Sequence, residues 1–219
     1  MGMSIPYERA GRTRQKQRTR NALIAAAREL VAAGKTATVE AAATAADVSR
    51  TTAYRYFPNQ RSLLVAAHPE TEASSLLPPD PPDDPAARLE AVIEAFTQLV
   101  ADTEPQQRTM LRLSLEPDGA GHDMLLRKGR AIGWIEEALR PLRGLLSARE
   151  LRRLVLAVRS ATGIEARVWL TDIAGLSSQE ATELMRWSAR AIYRSALEEA
   201  TDRRERLRRR TSQTDRGLR

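Results

Sequence analysis

Apolar residues recur at helical spacing from about residue 19 onward. Leu23, Ile24, Ala27, Leu30 and Val31 form one stripe of an amphipathic helix. Gly34 stands where a helix stop is expected. Thr38 predicts the cap of a short second helix over residues 39–46. Asp47-Val48-Ser49 reads as a tight break, and Ser49 caps a third helix running to about Tyr56. Pro58-Asn59 ends that helix. Asn59 then caps a fourth, which carries Leu63, Leu64 and Ala67. Residues 78–85 read PPDPPDDP, a run that cannot be helix interior.

Beyond that run, the stripe Leu89, Val92, Ile93, Phe96 and Val100 predicts a helix over residues 86–102. Met110, Leu111 and Leu115 predict a shorter one over 105–115. Met124, Leu125, Ile132, Ile135 and Leu139 predict another over 122–140. Ser147 with Glu150, and Ser177 with Glu180, are two capping boxes. The first opens a helix to about Leu170, the second a helix to about Ala200. No strand alternation, hairpin signal or internal repeat appears. The pattern gives an all-α fold of about nine helices. Residues 1–18 are expected to be a disordered basic arm and 19–68 a head. Residues 69–85 are a helix end with a Pro-rich loop, 86–200 a helical-bundle body and 201–219 a basic tail.

Charge changes the picture because it is unevenly placed. Residues 1–68 hold 11 Lys/Arg against 4 Asp/Glu, whereas residues 69–200 hold 16 against 21. A basic head on an acidic body points the head toward a polyanion. The tail is basic again. The chain has no Cys and two His, His68 and His122, so neither a disulfide, a Cys nucleophile nor a His-rich metal site is expected. No Gly-rich phosphate loop or metal spacing is present, so no cofactor, no metal and no enzyme activity are expected. No apolar run spans a membrane, and the basic N-terminus lacks the apolar segment of a secretion signal. A cytoplasmic location is the expectation, with no membrane partner.

The span from Thr38 to Leu64 has the layout of a helix-turn-helix, so the head is predicted to be a three-helix DNA-binding unit. Ala42, Ala43 and Ala46 are small where two helix backbones must approach. Val48 plugs the turn, and Ala53 and Tyr56 face inward. Arg50, Thr51, Thr52 and Arg55 are left pointing outward near the start of the second helix, the part that reaches base edges in the major groove. Arg donates twice to guanine, and Thr offers a hydroxyl and a methyl.

These residues resemble the TetR/AcrR family of bacterial regulators. The resemblance runs from Thr19 to about Ala67: Ala22-Leu23, Ala25-Ala26 and Leu30, then Gly34, then T-V-x-x-x-A from Thr38, then V-S-x-x-T-x-Y-x-Y-F-x-N from Val48 to Asn59. It implies that Thr38 and Ser49 cap helices and hold phosphates. Arg50, Thr51 and Thr52 would meet bases, and Tyr54 and Tyr56 would place hydroxyls on the DNA backbone. Two residues depart from the family pattern. Asp47 stands where Gly is usual, and Gln60 where Lys is common, leaving Arg61 to take that phosphate. Pro69 falls where the fourth helix normally continues.

The resemblance further implies double-stranded operator DNA as the partner, a homodimer, and a small-molecule effector. The dimer seam would be a stripe of Leu151, Leu154, Val155, Val158, Thr162 and Trp169 beside Leu184, Trp187, Ala191 and Ile192. Phe96, Met110, Trp134, Glu165 and Trp169 are the candidates to line an effector site, with Arg112 and His122 as further polar groups. The expected function is a sequence-specific, ligand-responsive repressor on a palindromic operator. The alternative is a nonspecific nucleic-acid binder driven by the basic termini Arg9–Arg20 and Arg203–Arg210.

Overall fold

The computed structural model describes residues 6–68, 73–115 and 129–217, and among them every regular element is helical. The chain divides into two units. One comprises residues 1–72 with 103–128, the other residues 73–102 with 129–219.

The first unit is built on α1 (Pro6–Ala32), α2 (Val39–Ala45), α3 (Arg50–Tyr56), α4 (Gln60–Ala67) and α6 (Glu104–Leu115). Helix α1 begins at Pro6, not near Thr19. Proline suits a first helical turn, where its missing N–H costs nothing, and the Arg, Gln and Lys that follow propagate helix well. The helix ends where a left-handed residue was expected. Gly34 has φ 70°, its N–H reaches Val31 O at 2.9 Å, and Lys35 N–H reaches Leu30 O at 2.8 Å. That pair of bonds is a Schellman closure.

The same closure ends α2, but with Asp47 in the glycine position at φ 52°. Val48 N–H reaches Ala43 O at 2.9 Å and Asp47 N–H reaches Thr44 O at 3.3 Å. Asp tolerates this conformation; a β-branched residue does not. Asp47→Val is therefore expected to cost about 1–2 kcal/mol, and Asp47→Gly to leave stability equal or higher, as read from urea unfolding. An Asp47→Gly variant clearly less stable than the parent would refute the assignment of strain to this residue.

Leu23, Ala27, Val31, Val39, Ala42, Ala53, Phe57, Leu63 and Leu64 form the core of this unit. Arg28 Nε donates to Ala67 O at 2.8 Å, satisfying a carbonyl at the end of α4. Helix α4 stops at Ala67, with His68 extended at ψ 129°. That is the conformation imposed on a residue before proline; Pro69 itself lies outside the described residues. Met110 packs into this same core, with Leu113 against it. Residues 104–115 therefore group with the head, not with the body as the Pro-rich boundary suggested. The apolar face of α6 supplies cover that α1 and three short helices lack.

The second unit holds α5 (Pro85–Asp102), α7 (Arg130–Ala138), a 3₁₀ turn (Arg140–Gly144), α8 (Ala148–Thr162), α9 (Ile164–Val168), a π turn (Trp169–Ile173) and α10 (Ser178–Gly217). The predicted segment over 122–140 is described only from residue 129, and Pro141 turns its end into the 3₁₀ piece. Asp84 caps α5, its Oδ2 accepting from Ala87 N–H at 3.0 Å, with Pro85 in the first helical position. Both predicted capping boxes form, at Ser147–Glu150 and Ser177–Glu180. The Ser177 hydroxyl and backbone N–H hold the Glu180 carboxyl below its ordinary pKa.

The helix expected to run from 147 to 170 breaks at Gly163, which is extended at φ −93°, ψ −178°. Past the break, Ile164 and Arg167 turn inward and are fully buried. Arg167 donates to Thr182 Oγ1 at 3.1 Å and to Ser178 Oγ at 2.5 Å, tying α9 to the start of α10. Helix α10 continues well past Ala200, where fraying was expected. Arg203 pairs with Glu150, and Arg204 donates to Gly144 O at 2.8 Å. The first two arginines of the basic tail thus have partners inside their own unit.

Candidate nucleic-acid interface

Helix α3 is positioned by its neighbours at both ends. Ser49 caps it, its Oγ accepting from Thr52 N–H at 3.3 Å and donating to Thr52 Oγ1 at 2.9 Å. Thr38 caps α2, with Ala41 N–H on its Oγ1 at 3.0 Å. Ala53 is fully buried and Tyr56 packs against the head core. These contacts fix which way the helix faces. Ser49, Arg50, Thr51 and Arg55 are exposed, Tyr54 is 36% exposed, and Thr38, Thr52, Tyr56 and Arg61 are half-buried. The Arg50 side chain retains 73% of its accessibility.

One residue of this surface was not singled out in the sequence. Glu40, in the first turn of α2, accepts from Arg50 Nη2 at 3.0 Å. The same carboxylate oxygen accepts the Tyr54 hydroxyl. The Arg50 guanidinium in turn lies over the Tyr54 ring, 5.7 Å from its centroid. The Tyr54 bond, followed by backbone contacts and Arg50, pulls the Glu40 carboxyl below its usual range, and the same bond pushes the Tyr54 hydroxyl up. Tyr54 was expected to offer its hydroxyl to DNA; here Glu40 takes it. Nothing local in the sequence signals this, because the three residues lie on two helices.

Residues 23–67 match the family model described as bacterial regulatory proteins, tetR family. Residues 23–67 are a tetR-family domain. The match supports a DNA-binding regulatory role for this domain. Among curated proteins, none matches the chain. The tetR-family match covers α2, α3 and α4 whole, together with residues 23–32 of α1. It therefore falls on the core-forming and outward-facing residues just described.

The effector candidates are scattered. Phe96 and Trp134 are buried edge to face, 6.1 Å between ring centroids. Met110 belongs to the core of the other unit. Glu165 is exposed and pairs with Arg159 at 3.3 Å, while Trp169 is 57% exposed. Arg112 is exposed, and His122 lies outside the described residues. A cavity of about 230 Å³ does open in the second unit, between α5 and α10. Leu89, Ile93 and Ala189 line it together with Arg186, Tyr193, Arg194 and the pair Glu90–Arg190, 2.9 Å apart. None of the candidates lines it. Periodicity identified the core stripe correctly but could not show where two helices fail to close. Among the described residues no helix is long and apolar enough to cross a membrane, and no cluster of His, Asp and Glu could hold a metal.

Proposed function

We propose that the chain is a ligand-responsive repressor that binds a palindromic operator as a homodimer and catalyses no reaction. The observation that carries this reading is the outward presentation of Arg50 and Thr51 beside the Ser49 cap, in a tetR-family domain. Base reading would fall to Arg50, Thr51 and Thr52. Thr38, Ser49, Arg55, Tyr56 and Arg61 would hold the backbone, while Tyr54, its hydroxyl on Glu40, would support Arg50.

Dimerisation is supported by large apolar groups left open in the second unit: Leu156, Trp169, Ile173, Leu184 and Trp187. On α10, Leu184 and Trp187 stand one turn apart, an exposed apolar strip of the kind that marks an association surface. The seam therefore differs from the sequence expectation: Leu154, Val155, Val158 and Thr162 are core. An effector is supported by the α5–α10 cavity, with an apolar wall for a body and a polar lining in which Arg190 pairs with Glu90 at 2.9 Å. Leu184 lies on the side of α10 away from Ala189 and Tyr193, whereas Trp187 shares its side with Arg190 and Arg194 of the cavity lining. A ligand favouring one arrangement of the heads would shift the population between DNA-competent and incompetent states.

Selection from a random duplex pool with the purified full chain tests the reading. The expected product is a two-fold symmetric consensus with half-sites one helical turn, ~34–36 Å, apart. A pool that stays unselected, with steeply salt-dependent binding, would instead make the basic termini the binders.

A further inference from the structure

We infer that Glu40 is a positioning residue for base reading: by gripping Arg50 and Tyr54 together, it sets how far this protein prefers its operator over other DNA. The inference rests on α3 being the reading helix. It goes beyond that reading by giving a carboxylate on a neighbouring helix control of selectivity.

The geometry carries it. The Arg50 side chain is 73% accessible, and an exposed arginine samples many rotamers before it meets DNA. Here it is held at two places: one Nη2 bond to Glu40, and the face of its guanidinium over Tyr54. Tyr54 is fixed by the same carboxylate oxygen. Three side chains thus share one arrangement instead of three. The grip uses only part of the arginine. A guanidinium has five N–H donors, so after the bond to Glu40 enough remain for a two-bond contact to guanine.

Charge acts in the same direction. A carboxylate on the DNA-facing surface repels phosphate, and phosphate attraction supplies nearly all nonspecific binding. Glu40 also neutralises part of the attraction of Arg50 until a base edge competes for the guanidinium. Its lowered pKa keeps it charged at neutral pH. Glu40 therefore weakens binding to arbitrary duplex while preparing Arg50 for the right one. A role confined to the α2 terminus would change stability and leave selectivity untouched.

The test compares the full-length protein with Glu40→Ala and Glu40→Gln. Fluorescence anisotropy is read on the selected duplex and on a scrambled duplex of equal length, across a salt series, with thermal unfolding as a check on folding. The expected result for Glu40→Ala is a fall of roughly tenfold or more in the ratio of the two affinities, the scale of one base contact. Scrambled-duplex binding should strengthen. Glu40→Gln keeps the size and an acceptor oxygen, so it should retain more affinity for the selected duplex while binding the scrambled one as Glu40→Ala does. In an Arg50→Ala background, Glu40→Ala should reduce the ratio no further, because the effect runs through Arg50. An unchanged or increased ratio in both single variants overturns the inference while leaving the reading helix intact. A parent protein that shows no preference between the duplexes overturns the reading of α3, and this inference with it.

Discussion

Arg50→Ala is expected to weaken binding to the selected duplex by roughly 30-fold or more, and binding to scrambled duplex only slightly. A good two-bond arginine–guanine contact discriminates by ~1–3 kcal/mol, and a dimer on a palindrome loses two of them. The loss should concentrate at one symmetric pair of base positions. Anisotropy on both duplexes reads the difference, and repeat selection with the variant shows which position relaxes. The side chain is 73% accessible and makes its contacts with Glu40 and Tyr54 on the surface, so folding should be nearly unaffected. Equal losses on both duplexes would reduce Arg50 to a phosphate contact.

Phe96→Ala is expected to destabilise the protein by about 3–5 kcal/mol. Phe96 is 1% exposed, meets Trp134 edge to face and carries the Arg159 guanidinium 5.4 Å above its ring. Truncation would leave a void bounded by α5, α7 and α8, and would leave Arg159 over an empty space. Urea unfolding followed by far-ultraviolet dichroism gives the value. A cost below about 1 kcal/mol would mean that the surroundings of Phe96 are loosely packed. That result would return it to the set of effector contacts from which its burial now removes it.

The two variants also mark what could be read in the sequence. The head was legible because its signals are local. A cap needs one side-chain oxygen three residues before an N–H, a hydroxyl at Thr38 and Ser49 and an amide oxygen at Asn59. A helix end needs one left-handed residue, as at Gly34 and, less expectedly, Asp47. The inward alanines are chosen by the close approach of two helices. The outward direction of Arg50 follows from the inward direction of Ala53.

What escaped involves partners distant in the chain. Arg88 was a surface position by type, yet it is buried, with Nε on Ala138 O at 3.0 Å and Nη2 on Glu137 O at 3.3 Å. It closes the end of α7 from 50 residues away. Arg28 does the same for α4. Arginine satisfies freed helix carbonyls with a fork of donors, but no spacing rule announces which carbonyls those are. Such residues count toward net charge without adding to an open cationic surface, so charge counts along the chain overstate what DNA can meet. Gly163 escaped for a related reason. Glycine inside an apolar stripe is tolerated often enough that its break shows only once Ile164 and Arg167 are seen to need the interior.

The unbroken winding of α1 constrains how the protein can hold a duplex. A flexible strand of cations can thread the minor groove, which is only ~6 Å wide. An α-helix with its side chains is ~10–12 Å across and cannot. While the turns around Arg14, Lys16 and Arg18 remain wound, that segment cannot thread the minor groove as a flexible strand of cations would.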